Sequence, residues 1–126
     1  MHDIIFLTLS EVVDIHNDQI AQYGGTEGVR DINLLSSALA MPLASFSDTY
    51  LHANIYEMAA AYAFHICQNH PFVDGNKRTA LVSALIFLDM NGINIPDSSG
   101  RLYDSMMSLA SGSLDKAEFA EVLRSL

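Results

Sequence analysis

The chain has 126 residues, of which 50% are apolar and 17% charged. At roughly 100–200 residues per domain, this length predicts one domain spanning residues 1–126, and the apolar fraction excludes a disordered chain. Six basic and 15 acidic residues give a formal net charge of −9, which disfavours contact with phosphate backbones and anionic membrane surfaces. We therefore expect a single domain that binds neither nucleic acid directly nor a membrane.

The sequence also bears on the compartment. Cys67 is the only cysteine, so no internal disulfide can form and a reducing compartment is indicated. The first residues, MHDIIFLTLSEVVD, lack the basic region of a signal peptide. The longest apolar stretch, Ala80 to Leu88, is interrupted by a serine and is well short of the ~20 residues of a membrane span. These features predict a cytoplasmic protein.

The first predicted helix begins after Thr8, which has Glu11 at the spacing of a capping box. It should run to about Tyr23, where Gly24-Gly25 favours a helix end. Residues at helical spacing share one face of it: Val12, Ile15, His16, Gln19, Ile20 and Tyr23.

A second helix is predicted from Asp31, its N-cap, to about Met41, because Pro42 stops it. The mixed stretch from Leu43 to Tyr50 is interpreted as a loop or a short hairpin.

Two strongly apolar segments follow, from Leu51 to Asn69 and from Asn76 to Asn91, the second ending before Gly92. A helix that is apolar nearly all round is buried. The short link between the two segments makes them neighbours in space. We therefore expect two central helices joined by residues 70–75.

The remaining elements are predicted to be short. Ile93–Pro96 is interpreted as an edge strand, and two helices follow at about Arg101–Ala110 and Leu114–Leu126, the last capped by Ser113. The expected fold is all-α, with the outer helices wrapped around the two central ones. Five methionines are assigned to the core: Met41, Met58, Met90, Met106 and Met107. Three histidines are assigned to ordinary surface or partly buried positions: His2, His16 and His52.

The link between the central helices carries the chemistry. Together with the first residues of the next helix it reads HPFVDGNKR, residues 70–78. If Asn76 is the N-cap, then Lys77 and Arg78 lie in the first turn of the next helix, where the helix dipole disfavours cations. A bound anion would offset that cost, because a helix N-terminus is an anion site and Gly75 lets a ligand approach the backbone. Two cations suit a polyphosphate.

The other two polar groups of the link fit the same chemistry. Asp74 has the carboxylate that Mg²⁺ uses together with substrate phosphates. His70, at the end of the preceding helix, can accept a proton from an attacking hydroxyl. The set suggests phosphoryl or nucleotidyl transfer.

Each residue also has a purely structural interpretation when taken alone. His70 could interact with the dipole at a helix C-terminus, Asp74 and Asn76 could serve the N-terminus of the next helix, and Gly75 could form the turn. A metal site built from His65, Cys67 and His70 is a weaker alternative, because its spacing does not match the usual zinc patterns.

The link resembles the signature of the Fic/Doc superfamily. The Fic branch has H-P-F-x-[D/E]-G-N-G-R-x-x-R, but here Lys77 replaces its second glycine and Leu81 its second arginine. Both differences match the Doc (death-on-curing) branch, H-x-F-x-D-x-N-K-R-T-A-L. The segments 23–25, 28–31 and 35–42 are similar to the N-terminal part of Doc-like toxins, so the resemblance covers nearly the whole chain.

The resemblance implies an ATP-dependent transferase. Fic-branch enzymes transfer AMP, whereas Doc is a kinase that phosphorylates elongation factor Tu and arrests translation. His70 would be the general base and Asp74 the Mg²⁺ ligand. The phosphates would be held by residues 75–78: Gly75, Asn76, Lys77 and Arg78. Leu43 to Tyr50 would be the flap that docks the target.

The resemblance also implies regulation by a partner. Many Fic proteins carry an inhibitory helix with the pattern [S/T]-x-x-x-E, and no Ser or Thr of this chain has Glu four positions later. Doc toxins are instead inhibited by an antitoxin protein. The alternatives to a kinase are an AMP transferase and a non-catalytic protein that binds antitoxin or nucleotide.

Overall fold

The protein folds into six α-helices and one hairpin over residues 3–96 and 100–126, the ranges that the computed structural model describes. His2 lies outside these ranges. This architecture confirms the all-α class. The helices are α1 (Leu9–Tyr23), α2 (Ile32–Ala40), α3 (Ile55–Asn69), α4 (Asn76–Met90), α5 (Arg101–Ser111) and α6 (Lys116–Ser125), and the strands are β1 (Ser45–Phe46) and β2 (Thr49–Tyr50).

Helix α3 forms the centre of the fold. It packs against α2, α4, α5 and α6, and its contact with α4 is the most extensive between any two elements in the described ranges. Four of its residues are fully buried alanines: Ala59, Ala60, Ala61 and Ala63. Such small side chains let the surrounding helices approach closely. No helix in the described ranges is both long and apolar enough to cross a bilayer.

Local capping signals account for the first elements. Thr8 and Glu11 form the predicted capping box, and Gly24, with φ 84°, ends α1. The Asp31 side chain accepts hydrogen bonds from the second and third N–H groups of α2. The 43–50 stretch contains the antiparallel hairpin of β1 and β2, which confirms one of the two interpretations.

Two helix starts differ from the predictions. α3 begins at Ile55 rather than Leu51, because the Asn54 side chain caps its first turn. α6 begins at Lys116 and is capped by Asp115, not Ser113. Asp115 forms a capping box with a glutamate in the first turn, and such a reciprocal pair satisfies two backbone N–H groups at once.

The predicted edge strand at Ile93–Pro96 is wrong. These residues form no strand, and the Ile93 N–H instead donates to the Leu88 carbonyl at the end of α4. Within the described ranges the sheet consists of β1 and β2 alone.

Tyr62 ties the N-terminal segment to the core. Its ring is fully buried, and its hydroxyl accepts a hydrogen bond of 2.9 Å from the Leu7 N–H. Burial raises the pKa of Tyr62 to about 12, so the hydroxyl stays neutral throughout the physiological range.

We expect Tyr62→Phe to lower the free energy of unfolding by about 1–3 kcal/mol, because the buried Leu7 N–H would lose its acceptor. Urea unfolding measures this change. Tyr103→Phe is the matched control, since Tyr103 is 58% exposed and should leave the urea midpoint unchanged. Equal midpoints for Tyr62→Phe and wild type would contradict the prediction.

His65 couples the fold to pH. Burial and the nearby Lys116 ammonium lower the pKa of His65 to about 4, and Lys116 Nζ lies 3.2 Å from its Nε2. The folded state therefore keeps this imidazole neutral at a pH where the unfolded chain, with an ordinary pKa of about 6.5, takes up a proton.

We expect the free energy of unfolding to fall as the pH drops from about 6.5 towards 5, because only the unfolded chain gains a proton at this position in that window. In His65→Gln the fall should be smaller. Urea unfolding at a series of pH values compares the two slopes, and identical slopes would show that His65 does not contribute.

Candidate active site

The predicted site lies in residues 70–75, which connect α3 to α4 and are called the motif loop below. His70 follows the last residue of α3 in the left-handed region, with φ 51° and ψ 53°. Pro71 supports this departure from the helix, because a proline disfavours the right-handed helical conformation of the residue before it. At the other end Gly75, also left-handed with φ 74°, is the N-cap of α4. The sequence suggested Asn76 as the N-cap, but the N-cap is Gly75.

Asn76 has a different structural task. Its side chain is 5% exposed; its Oδ1 accepts from the Phe72 N–H at 2.9 Å, and its Nδ2 donates to the Phe72 carbonyl, also at 2.9 Å. The amide thus closes the motif loop around the fully buried Phe72. What Asn76 can offer to an anion is its main-chain N–H.

The N-terminus of α4 remains available to a ligand. The first N–H groups of a helix have no intrahelical partner. No side chain of the described residues caps those of α4. Lys77 is exposed and Arg78 half-buried. Arg78 donates from Nη2 to the Gly24 carbonyl at 3.0 Å, and its guanidinium lies 5.2 Å from the centre of the Tyr23 ring. Open N–H groups beside two cations have the chemistry that an anion site requires.

Asp74 presents an ionised carboxylate next to that site. Its Oδ2 accepts from the Thr26 N–H at 3.1 Å, and its Oδ1 accepts from the Gly75 N–H at 2.8 Å. These two hydrogen bonds hold the pKa of the Asp74 carboxyl below its usual range. The carboxylate is exposed and suits Mg²⁺, which prefers oxygen ligands and usually keeps several waters.

The remaining Mg²⁺ ligands would have to come from substrate and water. Residues 3–96 and 100–126 contain no group of three or more His, Cys, Asp or Glu side chains placed to hold a metal.

His16 belongs to the site, although the sequence suggested an ordinary surface or partly buried residue. It is 1% exposed, and its ring is stacked on Phe72 with centroids 3.9 Å apart and an interplanar angle of 5°. Its Nε2 lies 2.8 Å from the Asp74 carbonyl oxygen; because a carbonyl only accepts, this nitrogen carries the proton. The sequence feature that could have indicated its burial is its position on the apolar face of α1.

A cleft of about 550 Å³ brings the predicted residues together. Its lining includes all six of them, namely His70, Asp74, Gly75, Asn76, Lys77 and Arg78. The far wall comes from α5, through Tyr103, Met107 and Ala110. The sequence placed Met107 in the core, but it is 37% exposed. On α3, Cys67 and Gln68 also contribute to the lining, as does Val73 of the motif loop.

Comparison with known proteins identifies the class to which this fold and site belong. The model described as the Fic/DOC family matches residues 6–88, and the chain belongs to that family.

Two relatives specify the branch. The chain is 33% identical over 116 residues to "Protein kinase doc" of Escherichia phage P1, a match that covers 92% of this chain and 90% of the relative. It is 40% identical over 73 residues to "Toxin Doc" of Mycolicibacterium smegmatis, which covers 58% of this chain and 56% of the relative. The resemblance to the Doc branch is confirmed.

Gly25 leaves room for the Asp74 carboxylate. A Cβ at Gly25, which has φ +119°, would lie 2.7 Å from Asp74 Oδ2. We expect Gly25→Ala to displace this carboxylate from the Thr26 N–H and so raise the pKa of Asp74 towards its ordinary value, because hydrogen bonds to the charged form are lost. Titration of the Asp74 carboxyl carbon by NMR measures the change.

Gly24→Ala is the matched control for that experiment. Gly24 also has a positive φ, of +84°, but a Cβ there would meet nothing within 4 Å. The control shares the backbone strain without the steric conflict, and the pKa of Asp74 should stay low in it. Equal pKa values in all three proteins would contradict the prediction.

Proposed function

We propose that this protein is a Doc-type toxin: a kinase that transfers the γ-phosphate of ATP to a hydroxyl of elongation factor Tu and thereby arrests translation. The observation that carries the proposal is the uncapped N-terminus of α4, which shares one cleft with Lys77, Arg78, the ionised Asp74 and the exposed His70. A relative that matches 92% of the chain is named as a protein kinase, which supports the same reaction.

Transfer of the γ-phosphate rather than AMP is favoured by two positions. Lys77 stands where the AMP-transferring branch has a glycine, and Leu81 where it has a second arginine. Leu81 is partly buried and packs against the hydrophobic core, so it offers no charge to a phosphate. Both residues match the Doc branch, and by that resemblance we infer that the nucleotide presents its γ-phosphate to the target.

In the proposed reaction each of these residues has one role. His70 accepts the proton of the target hydroxyl. The hydroxyl oxygen forms a bond to the γ-phosphorus, the bond from that phosphorus to the bridging oxygen breaks, and ADP leaves with the electron pair. The N–H groups at the start of α4, with Lys77 and Arg78, hold the phosphates. Asp74 would hold Mg²⁺, which neutralises negative charge on the phosphates when bound.

The hairpin is the proposed docking element for the target. Phe46 on β1 is 76% exposed, and both strands have exposed side chains. An extended segment of the target could add to such a strand. We further propose that an antitoxin protein inhibits the toxin in trans, which the name of one relative, "Toxin Doc", supports. We also propose that the protein acts in the cytoplasm, where translation takes place.

The test is a label-transfer experiment. The purified protein, freed of antitoxin, is incubated with Mg²⁺, elongation factor Tu and ATP labelled at either the α- or the γ-phosphate. We expect γ-label alone on the target. His70→Ala should lower the rate by about 10²–10⁴-fold, because the general base is lost, and Asp74→Ala should abolish the dependence on Mg²⁺.

The other outcomes separate the alternatives. Transfer of α-label would identify an AMP transferase and refute the kinase. No transfer of either label, with nucleotide still bound, would refute elongation factor Tu as the target and leave a protein that binds nucleotide or antitoxin. Full activity of His70→Ala would refute the role of His70 as base.

A further inference from the structure

Arg30 binds the end of α3 from outside the cleft. Its Nε donates to the His70 carbonyl at 2.7 Å, and its Nη2 donates to the Asn69 carbonyl at 3.1 Å. The main-chain N–H groups of Arg30 and Asp31 donate to the next carbonyl, that of Pro71, at 2.7 and 3.0 Å. Arg30 thus donates to three consecutive carbonyls, those of Asn69, His70 and Pro71.

This contact matters because His70 has a positive φ of 51°, a conformation that needs contacts from elsewhere to persist. A residue other than glycine in the left-handed region is strained and persists only where its surroundings determine its conformation. Furthermore, no residue of the described ranges forms a hydrogen bond with the His70 imidazole, which is exposed. No side-chain contact therefore holds the ring, and its position depends on the main chain, to which Arg30 donates at the His70 carbonyl.

The position of Arg30 is itself determined by its neighbours. On one side Val29 forms a β-bridge with Phe72, and the Gly28 carbonyl accepts from the Val73 N–H at 3.0 Å. On the other side the Asp31 side chain caps α2. The segment from 28 to 31 therefore lies antiparallel to the motif loop with little freedom to move.

We propose that Arg30 is a positioning residue for His70, and the proposal rests on the function proposed above. Arg30 is not among the residues that line the cleft, so it acts through the main chain and does not touch substrate. A guanidinium is required because its planar fork supplies donors to two carbonyls at once, which the single ammonium of lysine cannot reproduce.

The kinetic test compares Arg30→Gln and Arg30→Lys with wild type in the γ-label assay. We expect kcat to fall on the order of 10–100-fold in Arg30→Gln, because a small displacement of a catalytic group has effects of this size, with KM for ATP changed by less than about twofold. Arg30→Lys should be intermediate, since it keeps the charge and can still donate to one of the two carbonyls.

Arg124→Gln is the control for the loss of one positive charge. Arg124 lies on α6, where it pairs with Glu121 and covers the Tyr56 ring. It makes no contact with the motif loop, so its kcat and KM should equal those of wild type. A raised KM for ATP with unchanged kcat in Arg30→Gln would overturn the proposal, because Arg30 would then act on the nucleotide.

An NMR measurement decides the structural claim without any activity. In Arg30→Gln the carbonyl ¹³C shifts of Asn69 and His70 should move, and the ³J coupling between the His70 amide and α protons should leave its left-handed value. Arg30→Lys provides the same comparison with the positive charge retained. If wild type transfers no label, the proposed function fails while these spectra still decide whether Arg30 fixes His70. An unchanged His70 backbone in both variants would overturn the positioning role.

Discussion

The site depends on one constraint: the backbone groups of a six-residue loop between two buried helices must find partners. The loop cannot supply them itself, because its own residues form neither a helix nor a sheet. The segment from 28 to 31 provides one set of partners for Pro71 and Val73, and the Asn76 amide provides the other at Phe72. The geometry of the candidate site is therefore a consequence of how a segment some forty residues earlier in the chain packs on the loop.

As a result, the residues that support the loop differ from those that could take part in chemistry. Phe72 and His16 are buried and hold the loop from below, whereas His70, Asp74 and Lys77 remain exposed. The basic residues are also concentrated around the loop. Three of the six basic residues in the chain lie close to this loop: Arg30 binds it, and Lys77 and Arg78 follow it in the first turn of α4. On a chain with net charge −9, they create a local positive region that favours a polyphosphate where the rest of the surface repels it.

The sequence predicted those features that depend on local contacts. Thr8 and Asp31 were identified as caps because their hydrogen bonds reach only two or three residues along the chain. Asn76 was assigned as a cap for the same reason, and wrongly, because its amide is engaged by Phe72 in the folded loop. His70 to Arg78 were recognisable as a set because they are contiguous. Tyr103 and Met107 were not, since only the packing of α5 places them opposite the loop.

The two left-handed residues of the motif loop show why this site needs outside support. Gly75 adopts its conformation without a steric cost, and its task as the N-cap at an anion site requires only a backbone. His70 cannot be replaced by glycine in the same way, because the proposed chemistry needs its imidazole. Its strain must therefore be offset by hydrogen bonds from elsewhere, and the structure provides them at the carbonyls of Asn69 and His70 itself. A side chain that must be both exposed and well oriented is thus fixed through its own main chain, which leaves the ring free to meet the substrate.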